Sequence, residues 1–158
     1  MDFRPYLQQE PVRSVGYRPT VSVGSEATIG QAIELMQARR VGCLLILDAE
    51  DGLLGIFTER DVLRKVVAAD ATLGLEDRVG AAMTPAPVTV RTDEALAVLF
   101  GRMFRGGFRH IPAMSPEGRL LGTVSIKRVV SFLADQFPET VYNLPPDPER
   151  FGSAREGA

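Results

Sequence analysis

An α/β fold made of two similar β-α-β-β-α halves is predicted by three observations. Residues 21–67 recur without a gap at 88–134: Val88-Thr89-Val90 falls on Val21-Ser22-Val23, Met103 on Met36, and Leu120-Leu121-Gly122 on Leu53-Leu54-Gly55. Within each copy, short apolar runs of strand length are separated by turn residues. Between and after them, apolar residues recur at helical spacing. A unit this long, present only twice, argues for two pseudo-symmetric half-domains packed together rather than for an open-ended solenoid. Such a pair creates two related clefts, and what each contains becomes the functional question.

Each element follows from its residues. Residues 1–17 read as an arm with one helical turn, since prolines interrupt a mixed composition. Thr20 to Val23 alternates as a short strand. Ile29, Ala32, Ile33 and Met36 share a helical face, and Thr28 with Gln31 can form a capping box at its start. Cys43-Leu44-Leu45-Ile46-Leu47 is apolar throughout, as a strand covered on both faces should be. Asp48 to Gly52 is turn chemistry, and Leu53 to Phe57 is a second buried strand. From Thr58 the pattern is helical again, through Val62, Leu63, Val66 and Val67. The second copy predicts strand 87–90, helix 94–105, strands 110–114 and 120–124, and helix 125–136. After Phe137 the chain turns Pro-, Glu- and Gly-rich, and Leu144-Pro145-Pro146-Asp147-Pro148 cannot be helix or inner strand because proline lacks an amide hydrogen. The expected organisation is therefore an arm (1–17), a first repeat (18–78), a second repeat (79–137) and an extended tail (138–158).

Composition narrows the function. At 158 residues and 45% apolar, the chain can bury roughly two-thirds of its unfolded surface as one ordinary globular domain. A net charge of -2 gives no reason to expect a nucleic-acid partner, which usually selects a basic face. No apolar run approaches membrane-spanning length and no leader is visible, so a cytoplasmic location is expected. The lone Cys43 excludes an internal disulfide and reads as a buried, reduced thiol. Without clustered Cys and His, no metal site is expected. One histidine, a buried-looking cysteine and no clustered carboxylates leave no nucleophile–base pair to nominate, so catalytic residues are not expected and the chain reads as a non-enzyme.

The sharpest local signal is Gly55-Ile56-Phe57-Thr58-Glu59-Arg60-Asp61. A strand ends in a hydroxyl residue, and a carboxylate follows three positions later on the first helical turn. Thr-x-x-Asp is also a helix capping box. The same geometry suits a ligand: a carboxylate at a helix start can accept hydrogen bonds from the vicinal hydroxyls of a ribose, while nearby amides and the Thr58 hydroxyl can meet a phosphate.

Together with Val41-Gly42-Cys43-Leu44-Leu45-Ile46-Leu47-Asp48, and with Phe108-Arg109-His110-Ile111-Pro112 and Gly122-Thr123-Val124-Ser125 in the second copy, this motif resembles a tandem pair of CBS domains, the cystathionine-beta-synthase-type module, over about residues 18–136. The resemblance implies a stand-alone regulatory protein whose clefts take an adenosyl compound such as AMP, ADP, ATP or S-adenosylmethionine. It also implies a homodimer formed through the helices. That expectation agrees with the surplus of apolar residues on two helices, Val98, Leu99, Phe100, Met103 and Phe104 on one and Val129, Val130, Phe132, Leu133 and Phe137 on the other.

Carried over residue by residue, the resemblance equips one cleft better than the other. Asp61 would hold the ribose, with Ile56, Thr58 and Arg60 beside it. Pro87, Val88, Arg109, His110 and Ile111 of the other repeat would complete the cleft, and Arg109 and a protonated His110 would supply phosphate donors. The second cleft would comprise Thr20, Val21, Gly42, Cys43, Val124, Ser125 and Arg128. There Arg128 stands in the place of Asp61, and a guanidinium has donors only. Losing a charge-assisted pair costs roughly 1.5–3 kcal/mol, about ten- to hundredfold in affinity. That cleft is expected to be empty, weak or tuned to a different anion, with Lys127 and Arg128 alternatively reaching phosphates in the neighbouring cleft. The competing reading of the whole chain is a dimeric scaffold of the same fold that engages an effector protein without a small ligand.

Overall fold

The computed structural model describes residues 4–138. Two four-stranded mixed sheets, each with helices packed against it, carry the two halves. The first half contains β2 (Ser22–Gly24), α3 (Ile29–Arg39), β3 (Cys43–Leu47), β4 (Leu53–Thr58) and α4 (Glu59–Val62), which continues as a π-helical turn over Leu63–Val67. The second contains β6 (Val90–Arg91), α6 (Leu96–Gly106), β7 (His110–Met114), β8 (Leu120–Ser125) and α7 (Ile126–Gln136). The α/β class and the β-α-β-β-α order are as the sequence predicts. The capping box at Thr28 is present in both directions, with Gln31 N donating to Thr28 Oγ1 at 3.1 Å and Thr28 N to Gln31 Oε1 at 3.0 Å.

The remaining short elements reveal an exchange that periodicity did not. Before the first half lie α1 (Arg4–Gln9), α2 (Val12–Val15) and β1 (Arg18–Pro19); between the halves lie α5 (Val79–Ala82) and β5 (Thr84–Pro85). β1 pairs antiparallel with β8, giving the sheet order β1-β8-β7-β6, while β5 pairs with β4 to give β2-β3-β4-β5. Each half is therefore completed by the segment that precedes the other. The hydrogen bonds repeat accordingly: Val12 N donates to Glu94 O and Leu96 N to Glu10 O, just as Val79 N donates to Ala27 O and Ile29 N to Asp77 O, all at 2.8 Å. The segment expected as an arm instead inserts Val12 and Val15 into the second half's core, beside Leu96, Leu99, Ile111, Val124 and Val129. Ile29, Leu44, Ile46, Phe57 and Val79 lead the matching core of the first half.

Two strand positions differ from expectation. The strand expected over 87–90 forms only at Val90–Arg91, because Pro85 and Pro87 cannot donate to a ladder and Ala86 turns the chain through a left-handed conformation at φ 44°. The strand expected over 20–23 starts two residues later, at Ser22. Apart from its first residue, the tail expected over 138–158 lies outside the described residues.

Candidate functional site

The first cleft opens where α4 starts. β4 delivers Thr58 as the N-cap, and the helix raises Asp61 at its third position. Asp61 Oδ2 accepts from Thr58 N at 2.9 Å and from the Thr58 hydroxyl at 2.8 Å, while Asp61 N donates to Thr58 Oγ1 at 3.3 Å. The capping box is thus formed. Lys65, one turn on, places Nζ 2.9 Å from Asp61 Oδ1 and also donates to the Ala82 carbonyl at 2.6 Å. Asp61 is 9% exposed, and its exposed edge faces a cavity of about 420 Å³. Three hydrogen-bonded contacts leave one of the roughly four lone-pair positions of a carboxylate, and exchange of Lys65 would free a second.

Eight residues expected at this site line the one cavity: Ile56, Thr58, Arg60 and Asp61 from the first half, and Pro87, Val88, Arg109 and His110 from the second half and the connection leading to it. The ninth, Ile111, does not. It is fully buried in the second core, directly opposite Val124 on β8. Strand alternation explains the difference, since adjacent residues of β7 point to opposite faces and only His110 faces the clefts. Arg60 spans the halves, donating from Nη1 to the Gly107 carbonyl at 2.9 Å. Glu59, Arg64, Lys65 and Phe108 also line this cavity. Of these, Lys65 was open to detection from its i,i+4 spacing to Asp61.

His110 stands neutral at pH 7. Burial pushes its pKa below the ordinary value of 6.5, with Glu59 opposing that shift and Arg109 adding to it. The cationic side chains in this lining are Arg60, Arg64, Lys65 and Arg109.

The second cleft is about 200 Å³, less than half the first. Val21, Gly42, Cys43, Ser125 and Arg128 line it as expected, together with Arg18, Thr123 and again His110. Thr20 is half-buried outside the lining, and Val124 is fully buried in the core. Arg128 donates from Nε to the Val15 carbonyl at 3.1 Å, and its backbone N–H caps onto Ser125 Oγ at 3.3 Å. Neither Lys127 nor Arg128 lines the Asp61 cavity itself. Burial raises the Cys43 pKa to about 11, which keeps the thiol protonated at neutral pH.

The relation of the two halves to known proteins follows this geometry. The CBS domain family matches residues 12–68 and 79–135, the same two units that the exchanged α2 and α5 begin. The chain belongs to the CBS domain family. A CBS-domain containing protein from Agrobacterium tumefaciens, known from its crystal structure, is 35% identical, with a TM-score of 0.69 over 77% of this chain and 96% of that one. A CBS domain protein from Pyrobaculum aerophilum, solved in complex with AMP, shares the fold at 24% identity, with a TM-score of 0.70 over 80% of this chain and 97% of that one. An Arabidopsis thaliana CBS domain-containing protein is 34% identical over 108 residues, which is 68% of this chain and only 19% of that protein. The CBS pair thus spans about a fifth of that relative's length. Among the described residues, no helix is long and apolar enough to cross a membrane.

Proposed function

We propose that this CBS pair is a regulatory sensor that binds an adenosyl compound in the Asp61 cleft. The observation that carries the reading is convergence: eight residues from both halves line one cavity around a carboxylate that keeps one open acceptor position at a helix start. A ribose diol would take the free position on Asp61 and displace Lys65, which would then be released toward the phosphates. Four cationic side chains, Arg60, Arg64, Lys65 and Arg109, outnumber the two carboxylates Glu59 and Asp61 in the lining. That balance favours AMP, ADP or ATP over the cationic S-adenosylmethionine. The AMP complex of the Pyrobaculum relative supports the same ligand class.

Output is assigned to a homodimer. Leu63 and Val130, which occupy the same position in the two halves, are 62% and 55% exposed, and Phe104 is 90% exposed. Apolar side chains left open in both halves suit a second copy packed against the helices. The same patch favours the second reading, a dimeric scaffold that presents an effector-binding surface without a small ligand. Neither reading assigns a reaction to the chain.

A thermal-shift panel with AMP, ADP, ATP, S-adenosylmethionine and NADH separates them. A ligand at 100 times its dissociation constant stabilises by about 2.7 kcal/mol. For a chain of this length that raises the melting temperature by roughly 5–10 °C. A shift with the nucleotides is expected; none with any of the five at millimolar concentration would put the scaffold reading first.

A further inference from the structure

The small cleft has the opposite polarity to its larger counterpart. Where the first cleft offers the Asp61 carboxylate, this one gathers two guanidinium groups, Arg18 and Arg128, and no carboxylate lines it. Neither arginine forms an ion pair among the described residues. Each is instead held by a single side-chain hydrogen bond to a backbone carbonyl, Arg128 Nε to Val15 at 3.1 Å and Arg18 Nη1 to Arg40 at 3.0 Å. A guanidinium carries five N–H donors, so most of both sets stay available. The Ser125 hydroxyl accepts from Arg128 N as the cap of the 11-residue helix α7, and its own hydrogen is left to donate. The helix start adds its partial positive charge at the same place. Cys43 contributes no negative charge, because its thiol is protonated. Glu59 lies beside Gly42 but lines the neighbouring cavities, not this one.

We propose that this cleft is a site for a tetrahedral oxyanion of the phosphate class, held by Arg18, Arg128 and Ser125, rather than a second nucleoside site. Its volume of about 200 Å³ suits a small anion, and its donor-only lining supplies what such an anion accepts and what a ribose diol does not need. The oxyanion has two possible sources. It can be free phosphate, or it can be the terminal phosphate of a nucleotide lodged in the first cleft, since Gly42 and His110 line both cavities and join them.

Calorimetric titration of the full chain with inorganic phosphate, AMP and ATP tests the proposal in the native protein and in Arg128→Gln, Arg18→Gln and Arg128→Lys. If the source is free phosphate, phosphate binds alone, and Arg128→Gln weakens it by about tenfold or more. Arg128→Lys keeps part of that affinity, and AMP binding is unchanged throughout. If the source is a nucleotide tail, phosphate alone gives no heat. ATP then binds more tightly than AMP, and both Gln variants erase that preference. Circular dichroism confirms that each variant is folded, so lost binding is not lost structure. The proposal is overturned if phosphate binding and the ATP-to-AMP ratio are both indifferent to all three substitutions, or if uncharged adenosine displaces phosphate from the Arg128 cleft. Phosphate binding without any nucleotide binding would uphold this site while removing the nucleotide reading of the other, so the two can fail separately.

Discussion

At the first turn of α4 the chain places Asp61; at the matching turn of α7 it places Arg128. The two surroundings are otherwise alike. Each residue sits third after a hydroxyl cap, and each hydroxyl accepts the backbone N–H of that third residue, at 3.3 Å in both cases. What differs is the return bond. Asp61 completes the box by accepting from Thr58 N, whereas Arg128 turns its guanidinium to the Val15 carbonyl instead. One substitution on a common scaffold thus exchanges a carboxylate in a cleft of about 420 Å³ for a guanidinium in one of about 200 Å³. A duplicated fold preserves backbone geometry while letting its two sites diverge in chemistry.

The largest expected effect probes the exchanged strands that wall the two clefts. Gly122 and Gly55 are counterparts, each beneath the strand borrowed from the other side. A methyl group at Gly122 would overlap the Arg18 carbonyl oxygen of β1, which is backbone and cannot step aside. At Gly55 it would meet the flexible Met83 thioether and, at 2.9 Å, the Thr84 carbonyl. Gly122→Ala is expected to cost about 3 kcal/mol or more, and Gly55→Ala about 1–2 kcal/mol, in urea unfolding. Equal costs would mean that β1 is as easily displaced as β5, and the second cleft would lose its fixed wall.

A smaller difference is expected at the caps. Thr58→Ala removes a reciprocal box and is expected to destabilise by about 1–2 kcal/mol, while Ser125→Ala removes a one-way cap and costs about 0.5–1 kcal/mol. Thermal denaturation of the two variants side by side measures this, and the reverse order would contradict the asymmetry of the two turns.

The smallest effect belongs to His110, which both clefts share. Its folded pKa lies below the unfolded value of about 6.5, because burial disfavours the charged ring. The unfolded chain therefore binds the proton more readily, and stability present above pH 6.5 declines as pH falls through the folded value. His110→Gln is expected to flatten that part of the stability profile below about pH 6.5. An unchanged slope would show that another group carries it.

Much of this was legible from residues alone. The 43–47 strand could be read because five apolar residues in a row allow little else, and the 110–114 strand because the repeat places it on the same positions. The Thr28 and Thr58 boxes could be read because capping is local. The exchange of α2 with α5 could not be read. Val12-Arg13-Ser14-Val15 and Val79-Gly80-Ala81-Ala82 are single turns sharing one side chain, and two-residue strands carry no period. Ile111 and Val124 were misplaced for a related reason. Alternation says that neighbours on a strand diverge, but which of them meets the cleft depends on where the opposite sheet lies, a tertiary fact. The volumes of the two clefts were likewise beyond the sequence, since they depend on how β1 and β5 seat.

The difference between Asp61 and Arg128 is tested most directly by calorimetric stoichiometry of AMP binding in the native chain and in Asp61→Ala. One AMP per chain is expected in the native protein, with affinity falling ten- to hundredfold in the variant. Two AMP molecules per chain, or undiminished affinity without the Asp61 carboxylate, would contradict the assignment of unlike roles to the two clefts.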